Sequence, residues 1–209
     1  MSVSKLLHLL SPILVLVAAA LVVVLAVQKR SLIVQYEELQ KRERLPYVGL
    51  WMPTFETTTL EGESVVIGRA EEDSRQVLFL FDTTCPFCLT SLPAWKNLSA
   101  RLANVGEPVV HVYGISLDPD AETRLYVDGH GLTFPVLRFP EEKLRYLYRA
   151  NGVPQVIVLD HEGQVIHTRP GELEEGAALD SVFAATVRVS AEDEGSEASE
   201  SNLTESTSR

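Results

Sequence analysis

Cysteine is nearly absent: 209 residues hold two, Cys85 and Cys88. A disulfide between residues this close closes a tiny loop, withdraws little entropy from the unfolded chain and makes a poor structural staple, so a disulfide-built scaffold is excluded. There is no second cysteine pair, and the five histidines, His8, His111, His130, His161 and His167, show no clustered ligand spacing. A zinc site built on Cys85 and Cys88 is left two ligands short. An excess of basic charge is also lacking. Against 18 Lys and Arg stand 29 Asp and Glu, for a net charge of −11, which argues against nucleic acid as a partner. No internal repeat is apparent. The scarce cysteines meet in one stretch, Asp82 to Thr90, DTTCPFCLT, in a spacing that suits a pair that opens and closes.

The long apolar run is at the other end. Leu6 to Val27, LLHLLSPILVLVAAALVVVLAV, has 22 residues without a formal charge, roughly 33 Å of helix at the usual rise and enough for a hydrocarbon core. Ala18, Ala19 and Ala20 offer a signal-peptide cleavage site, but the apolar run continues beyond them, and an uncleaved transmembrane anchor is expected. Lys5 alone precedes the span, whereas Lys29, Arg30, Lys41, Arg42 and Arg44 follow it. That count by itself favours a cytoplasmic domain.

Behind a five-residue flank (1–5) and the anchor (6–27), residues 28–45 read as a helical stalk of mixed charge, 46–188 as one domain, and 189–209 as a tail. The tail carries Glu192, Asp193, Glu194, Glu197, Glu200 and Glu205 against Arg209, with almost no large apolar residue. Such a segment cannot bury enough surface to fold and is expected to stay solvated. Sequons at Asn97 and Asn202 carry no weight outside a glycosylating compartment.

Within 46–188, short apolar runs rich in β-branched or aromatic residues at 76–81, 109–116 and 155–160 read as buried strands. Helix-like spacing occupies 86–104 and 119–130. A further helix over 141–150 is predicted to pack Leu144, Leu147 and Tyr148 on one face. His161 to Gln164 makes a short turn into a second hairpin strand, and 172–186 reads as a closing helix. The pattern is α/β: a central mixed sheet flanked by helices.

This map puts Cys85 just beyond the carboxyl end of strand 76–81, where α/β folds place their sites, and at the start of a helix. The unpaired N–H groups and positive dipole end of a helix N-terminus favour a thiolate over a thiol. Pro86 suits the first helical turn, where its missing N–H has no intrahelical partner to lose. Cys88 lies one turn on, on the same face. The roles follow: Cys85 attacks a substrate disulfide and Cys88 resolves the mixed disulfide, covalent catalysis in two thiol exchanges.

A second signal precedes the strand at 155–160. Pro154 is either edge punctuation or, coupled to the cysteine pair, one side of a cis Val153–Pro154 bond that presents backbone to an extended substrate. Thr84, Pro86, Phe87 and Asp82 form the immediate surroundings of the pair. Asp82 is either the nearest proton acceptor or a turn residue or helix cap.

Four stretches carry a resemblance: GLWMPTF at 49–55 followed by Leu60-Glu61-Gly62, FLFDTTCPFCLTSLP, GLTFPVL at 131–137, and GVPQVIVLDHEGQVI at 152–166. Over about 46–188 the chain resembles the membrane-anchored TlpA/ResA-like thiol–disulfide oxidoreductases, with MauD-type proteins close by. The resemblance implies a thioredoxin-like fold with an N-terminal hairpin and an extra αβ insertion near 117–140. It also implies export to the outer or periplasmic side of a bacterial membrane, and action as a reductant in cytochrome c maturation or related disulfide chemistry. The expected partners are protein thiols and disulfides and a membrane electron donor; no cofactor or resident metal is called for.

Three departures stand out. Thr84 replaces a Trp that many relatives have before the first cysteine, Ser91 replaces the acid that ResA-like proteins place three positions after the second, and Phe79 stands where thioredoxin has its buried acid. A peroxiredoxin-type peroxidase wants a Thr three residues before its attacking cysteine, and position 82 is Asp. The alternative is a binding module, an adaptor or copper-handling protein, because two thiolates suit Cu(I).

Overall fold

A computed structural model of the chain describes residues 20–30, 33 and 44–188. Most of the expected anchor and stalk, and all of the tail at 189–209, lie outside the described residues. Residues 20–30 are helical, and no helix among the described residues is long and apolar enough to cross a membrane. A separate compact unit begins at Leu45.

That unit opens with an antiparallel hairpin, β1 (Phe55–Thr58) and β2 (Ser64–Ile67). There follow β3 (Ser74–Phe81), α1 (Pro86–Leu102), β4 (Val109–Ser116), α2 (Asp120–His130), β5 (Val136–Arg138), α3 (Glu142–Leu147), β6 (Gln155–Leu159), β7 (Val165–Pro170) and α4 (Ala177–Val187). The five-stranded sheet runs β5-β4-β3-β6-β7. Pairings of β3 with β4 and β4 with β5 are parallel, while β6 lies antiparallel to both β3 and β7. The mixed sheet, the leading hairpin and the inserted α2–β5 unit match what the sequence and its resemblance implied.

Central position explains the composition of β3. Every residue of SRQVLFLF is buried, because both faces of the strand are covered and alternation has no solvent side to serve. Val77, Phe79 and Phe81 join one core with Trp95, Leu98 and Leu102 of α1 and Leu179 and Val182 of α4. Leu78 and Leu80 face the opposite core, with Phe55, Ile67, Leu144 and Tyr148. The period of two in side-chain direction thus sorts one apolar run into two cores.

Two expectations need correction. Leu147 does not share the packed face of α3: Leu144 and Tyr148 are buried, whereas Leu147 is 44% exposed. Residues four apart stack on one helix face and the helix ends at Leu147, so only the Leu144–Tyr148 row reaches the core. The closing helix starts at Ala177. Residues 171–176 form instead a loop opened by Gly171 and closed by Gly176, both at positive φ, which glycine adopts without a steric penalty.

The β6–β7 turn is anchored by the Asp160 carboxylate, which accepts hydrogen bonds from the main-chain N–H groups of Glu162 and Gln164. Gly163 sits there at φ 92°, and a Cβ on it would lie 2.2 Å from the Gly68 carbonyl oxygen. Neither main-chain segment can yield cheaply. Gly163→Ala is expected to destabilise the domain by at least ~2 kcal/mol, read as a lowered midpoint in chemical denaturation at unchanged slope.

Candidate active site

Three chain segments meet at the carboxyl end of β3. Cys85 is the N-cap of α1, with extended backbone, and Pro86 occupies the first turn. The main-chain carbonyl of Cys85 accepts from the N–H groups of Cys88 and Leu89, which places both sulfurs on one side of the first turn. Parallel pairing brings Ser116 of β4 beside Phe81. Antiparallel pairing sets Gln155 of β6 opposite Leu80, so Pro154 arrives level with the end of β3.

The two cysteines are unequal. Cys85 is half-buried and Cys88 is fully buried, and both are free thiols. Burial pushes the Cys88 thiol well above its ordinary range, the Asp82 main chain opposes this, and the Cys85 sulfur, hydrogen-bonded to Cys88, adds to it. Cys85 Sγ lies 3.8 Å from the Val153 carbonyl oxygen, the long contact expected of a weak sulfur donor. The Val153–Pro154 bond is cis and Pro154 is buried. The structure therefore brings Cys85, Cys88, Val153 and Pro154 together at one point. Around them Thr84, Pro86 and Phe87 are exposed.

Asp82 resolves into a turn residue. Its Oδ1 accepts from the Thr84 N–H at 2.8 Å and the Thr84 hydroxyl at 2.6 Å, an Asx-turn that sets the approach to α1. It does not cap the helix, since Cys85 is the N-cap and no side chain bonds there. The carboxylate does act on Cys88 across space, raising its pKa.

Two supports escaped the sequence reading. Asp118, just past the end of β4, accepts the Thr83 N–H at 2.6 Å and so ties the cysteine loop to the neighbouring strand. Its position beyond a strand's carboxyl end was the available signal. Ser91, noted only as a departure, is fully buried. Its hydroxyl donates to the Phe87 carbonyl at 2.7 Å and accepts the Leu173 N–H at 3.0 Å, joining α1 to the loop before α4. Its place three residues after Cys88, on the same helix face, marked it as part of the site.

Phe79 fills the position of the missing acid with an aromatic layer. Its ring stacks on Trp95 at 5.2 Å, and Phe81 packs against Trp95 and Tyr126. The ground beneath the buried thiol is apolar, which is why desolvation is the leading influence on Cys88.

Comparison with known proteins agrees with this geometry. The AhpC/TSA family model matches residues 48–168. The chain belongs to that family, among its TlpA/ResA/MauD-like members. The methylamine utilization protein MauD of Methylophilus methylotrophus is 30% identical over 122 residues, covering 58% of this chain and 54% of that protein. The thiol–disulfide oxidoreductase ResA of Halalkalibacterium halodurans is 25% identical over 116 residues, 56% of this chain and 64% of that one. The chain thus spans between half and two thirds of the length of these relatives. Among solved structures, StoA from Bacillus subtilis superposes with a TM-score of 0.55 at 19% identity, over 68% of this chain and 99% of that one, a likeness of fold. The domain is thioredoxin-like.

The inequality of the thiols generates a test. Brief iodoacetamide treatment of the reduced chain at neutral pH is expected to label Cys85 and spare Cys88, because Cys88 is both buried and held as a thiol. Raising the pH shifts Cys88 toward thiolate and brings its labelling up last. Peptide mass spectrometry reads the order, and preferential labelling of Cys88 reverses the assignment. Ser91→Ala leaves the buried Leu173 N–H without its acceptor and is expected to cost about 1–3 kcal/mol, measured by chemical denaturation.

Proposed function

We propose that the chain is a membrane-tethered thiol–disulfide oxidoreductase that passes electrons from the Cys85–Cys88 dithiol to disulfides of other proteins on the outer face of a bacterial membrane. The carrying observation is the pairing of a half-buried cysteine at a helix N-terminus with a fully buried one a turn later, beside the Val153 carbonyl. The thiol–disulfide oxidoreductase ResA among the relatives supports the same chemistry.

The exchange runs in two balanced steps. The Cys85 thiolate attacks one sulfur of a substrate disulfide; the Cys85–substrate bond forms, the substrate disulfide breaks, and the departing thiolate takes a proton from water. Cys88 then gives up its proton, its sulfur attacks Cys85 Sγ, and the second substrate thiolate leaves and is protonated. Two electrons pass from the dithiol to the substrate, and the Cys85–Cys88 disulfide remains. A membrane electron donor returns it to the dithiol.

Reduction is proposed as the direction on the resemblance to TlpA/ResA-like proteins; the burial of Cys88 bears on the order of the two steps and not on their net direction. A protein substrate fits the rim. Phe87 is 58% exposed and Leu89 46% exposed beside the half-buried Cys85, an apolar surround that a polypeptide covers better than a small polar thiol. An extended substrate segment would lie along Val153 and Pro154.

Tethering rests on the apolar run from Leu6 to Val27. The Lys and Arg count around that run favours the cytoplasm, but a long domain translocates largely regardless of flanking charge, and Glu37, Glu38 and Glu43 interleave the basic residues. Outside, a tether keeps the domain beside its donor and raises the effective concentration without any new contact.

In cells, Cys88→Ser is expected to accumulate mixed disulfides with substrate proteins and Cys85→Ser to accumulate none; equal trapping by both removes the division of roles. Protease added to intact spheroplasts is expected to digest residues 46–209. Survival of that segment until the membrane is breached would falsify the outward topology.

A further inference from the structure

The loop between β3 and α1 is fixed in two different ways. Asp82 shapes it from within: its carboxylate accepts from the Thr84 N–H and hydroxyl, and its main-chain carbonyl accepts from the Cys85 N–H at 3.3 Å. Bonds internal to a loop set its form and leave its place against the sheet open. That place is set from outside by Asp118, whose Oδ2 accepts the Thr83 N–H at 2.6 Å across 35 residues of sequence. Thr83 stands two residues before Cys85. The contact of Cys85 Sγ with the Val153 carbonyl, at 3.8 Å, is the weaker tie.

Asp118 is itself held. Its N–H donates to the Ser116 hydroxyl at 3.2 Å, and the hydroxyls of Ser116 and Thr123 lie 2.7 Å apart. Thr123 Oγ1 also meets the Pro119 carbonyl at 2.9 Å and the Asp118 carbonyl at 3.4 Å. Each hydroxyl has one proton to give, and a carbonyl can only accept. The assignment that leaves no proton idle has Thr123 donating to these carbonyls and Ser116 donating to Thr123 while it accepts from Asp118. Ser116 is 1% exposed and Thr123, on the inserted helix α2, is fully buried. Two hydroxyls in a core are costly unless bonded, and apolar residues would fill the space without that demand. What the pair adds is a fixed direction for the main chain at Asp118, and so for the carboxylate that grips Thr83.

We propose that Asp118 is a positioning residue for Cys85 and that Ser116 and Thr123 are its supports, so that α2 braces the attacking sulfur through Asp118 and Thr83. The inference deepens the thiol-exchange reading and rests on it. A sulfur held near its partner closes the disulfide at a higher effective concentration than one carried on a loose loop. Asp118 touches no reacting atom, and the proton and electron balance of the exchange is unchanged.

The test equilibrates the Cys85–Cys88 pair of the full chain with reduced and oxidised glutathione. Asp118→Ala removes the acceptor and is expected to lower the equilibrium constant for closing the disulfide about tenfold, as loss of one hydrogen bond to a charged group would, a rise of about 30 mV in potential. Asp118→Asn keeps an acceptor oxygen without the charge and is expected to stay within about twofold of the unsubstituted chain. Thr123→Val keeps the shape and is expected to shift the constant the same way by about threefold, adding nothing to Asp118→Ala because its effect passes through Asp118. An equilibrium unmoved by Asp118→Ala overturns the proposal even if the denaturation midpoint falls, since the bond then serves the fold alone. Asp118→Asn matching Asp118→Ala makes charge the cause and overturns it too. A Thr123→Val shift that is absent, or fully additive, takes α2 out of the brace and sinks the relay. Should the unsubstituted chain reduce no protein disulfide, the exchange reading falls, and the glutathione equilibrium still decides the role of Asp118. A pair that never closes overturns both.

Discussion

The site depends on β3 being buried on both faces and ending at Phe81. A strand in the middle of a sheet cannot slide by one residue, because the shift would exchange Val77, Phe79 and Phe81 with Leu78 and Leu80 between two cores of different shape. With the register fixed, the carboxyl end of β3 becomes a fixed point. Parallel β4 delivers Asp118 to it, antiparallel β6 delivers Val153 and Pro154, and α1 begins there with Cys85 as its first bound residue. Chemistry at the pole is thus a consequence of packing several residues below it.

The same packing sets the proton accounts. An apolar layer under Cys88 holds the resolving thiol in its neutral form, and the nearby carboxylates are spent on main-chain N–H groups: Asp82 on Thr84, Asp118 on Thr83. Each of these bonds fixes the loop that carries Cys85. Rigidity of the attacking cysteine and the absence of a free acid beneath the resolving one are two results of one arrangement. A site built this way separates the steps of exchange, since the half-buried sulfur is ready before the buried one.

Much of this was legible in the sequence, for physical reasons that differ by element. The strands at 76–81, 109–116 and 155–160 announced themselves through apolar runs too short for helices, and the structure extends the first only to Ser74. Cys85 and Pro86 were placed by the chemistry of a helix start. The cis Val153–Pro154 bond was readable only because the cysteine pair gave the proline a reason. What stayed hidden is what depends on tertiary neighbours. Leu147 obeys the apolar spacing of α3 and yet faces outward. Ser91 looks like a loss when judged by the residue it replaces, although it gains a partner 82 residues away in Leu173. That Asp82 makes a turn shows only in the positions of the Thr84 N–H and hydroxyl.

Specificity follows from where polarity is spent. Thr83 and Thr84 have their main-chain donors satisfied by Asp118, just past β4, and by Asp82 within the loop, so neither main-chain N–H is free for a partner. The rim around Cys85 offers instead Phe87 and Leu89 beside the Val153 backbone. Apolar contact of that size discriminates weakly between side chains, while main-chain bonding discriminates scarcely at all. Under the proposed function, a domain with such a rim would select by access, reaching disulfides held in exposed, extendable segments and passing over buried ones. Its location would then decide what it meets, and a tether at the apolar run Leu6–Val27 would serve that end as well as nearness to a donor.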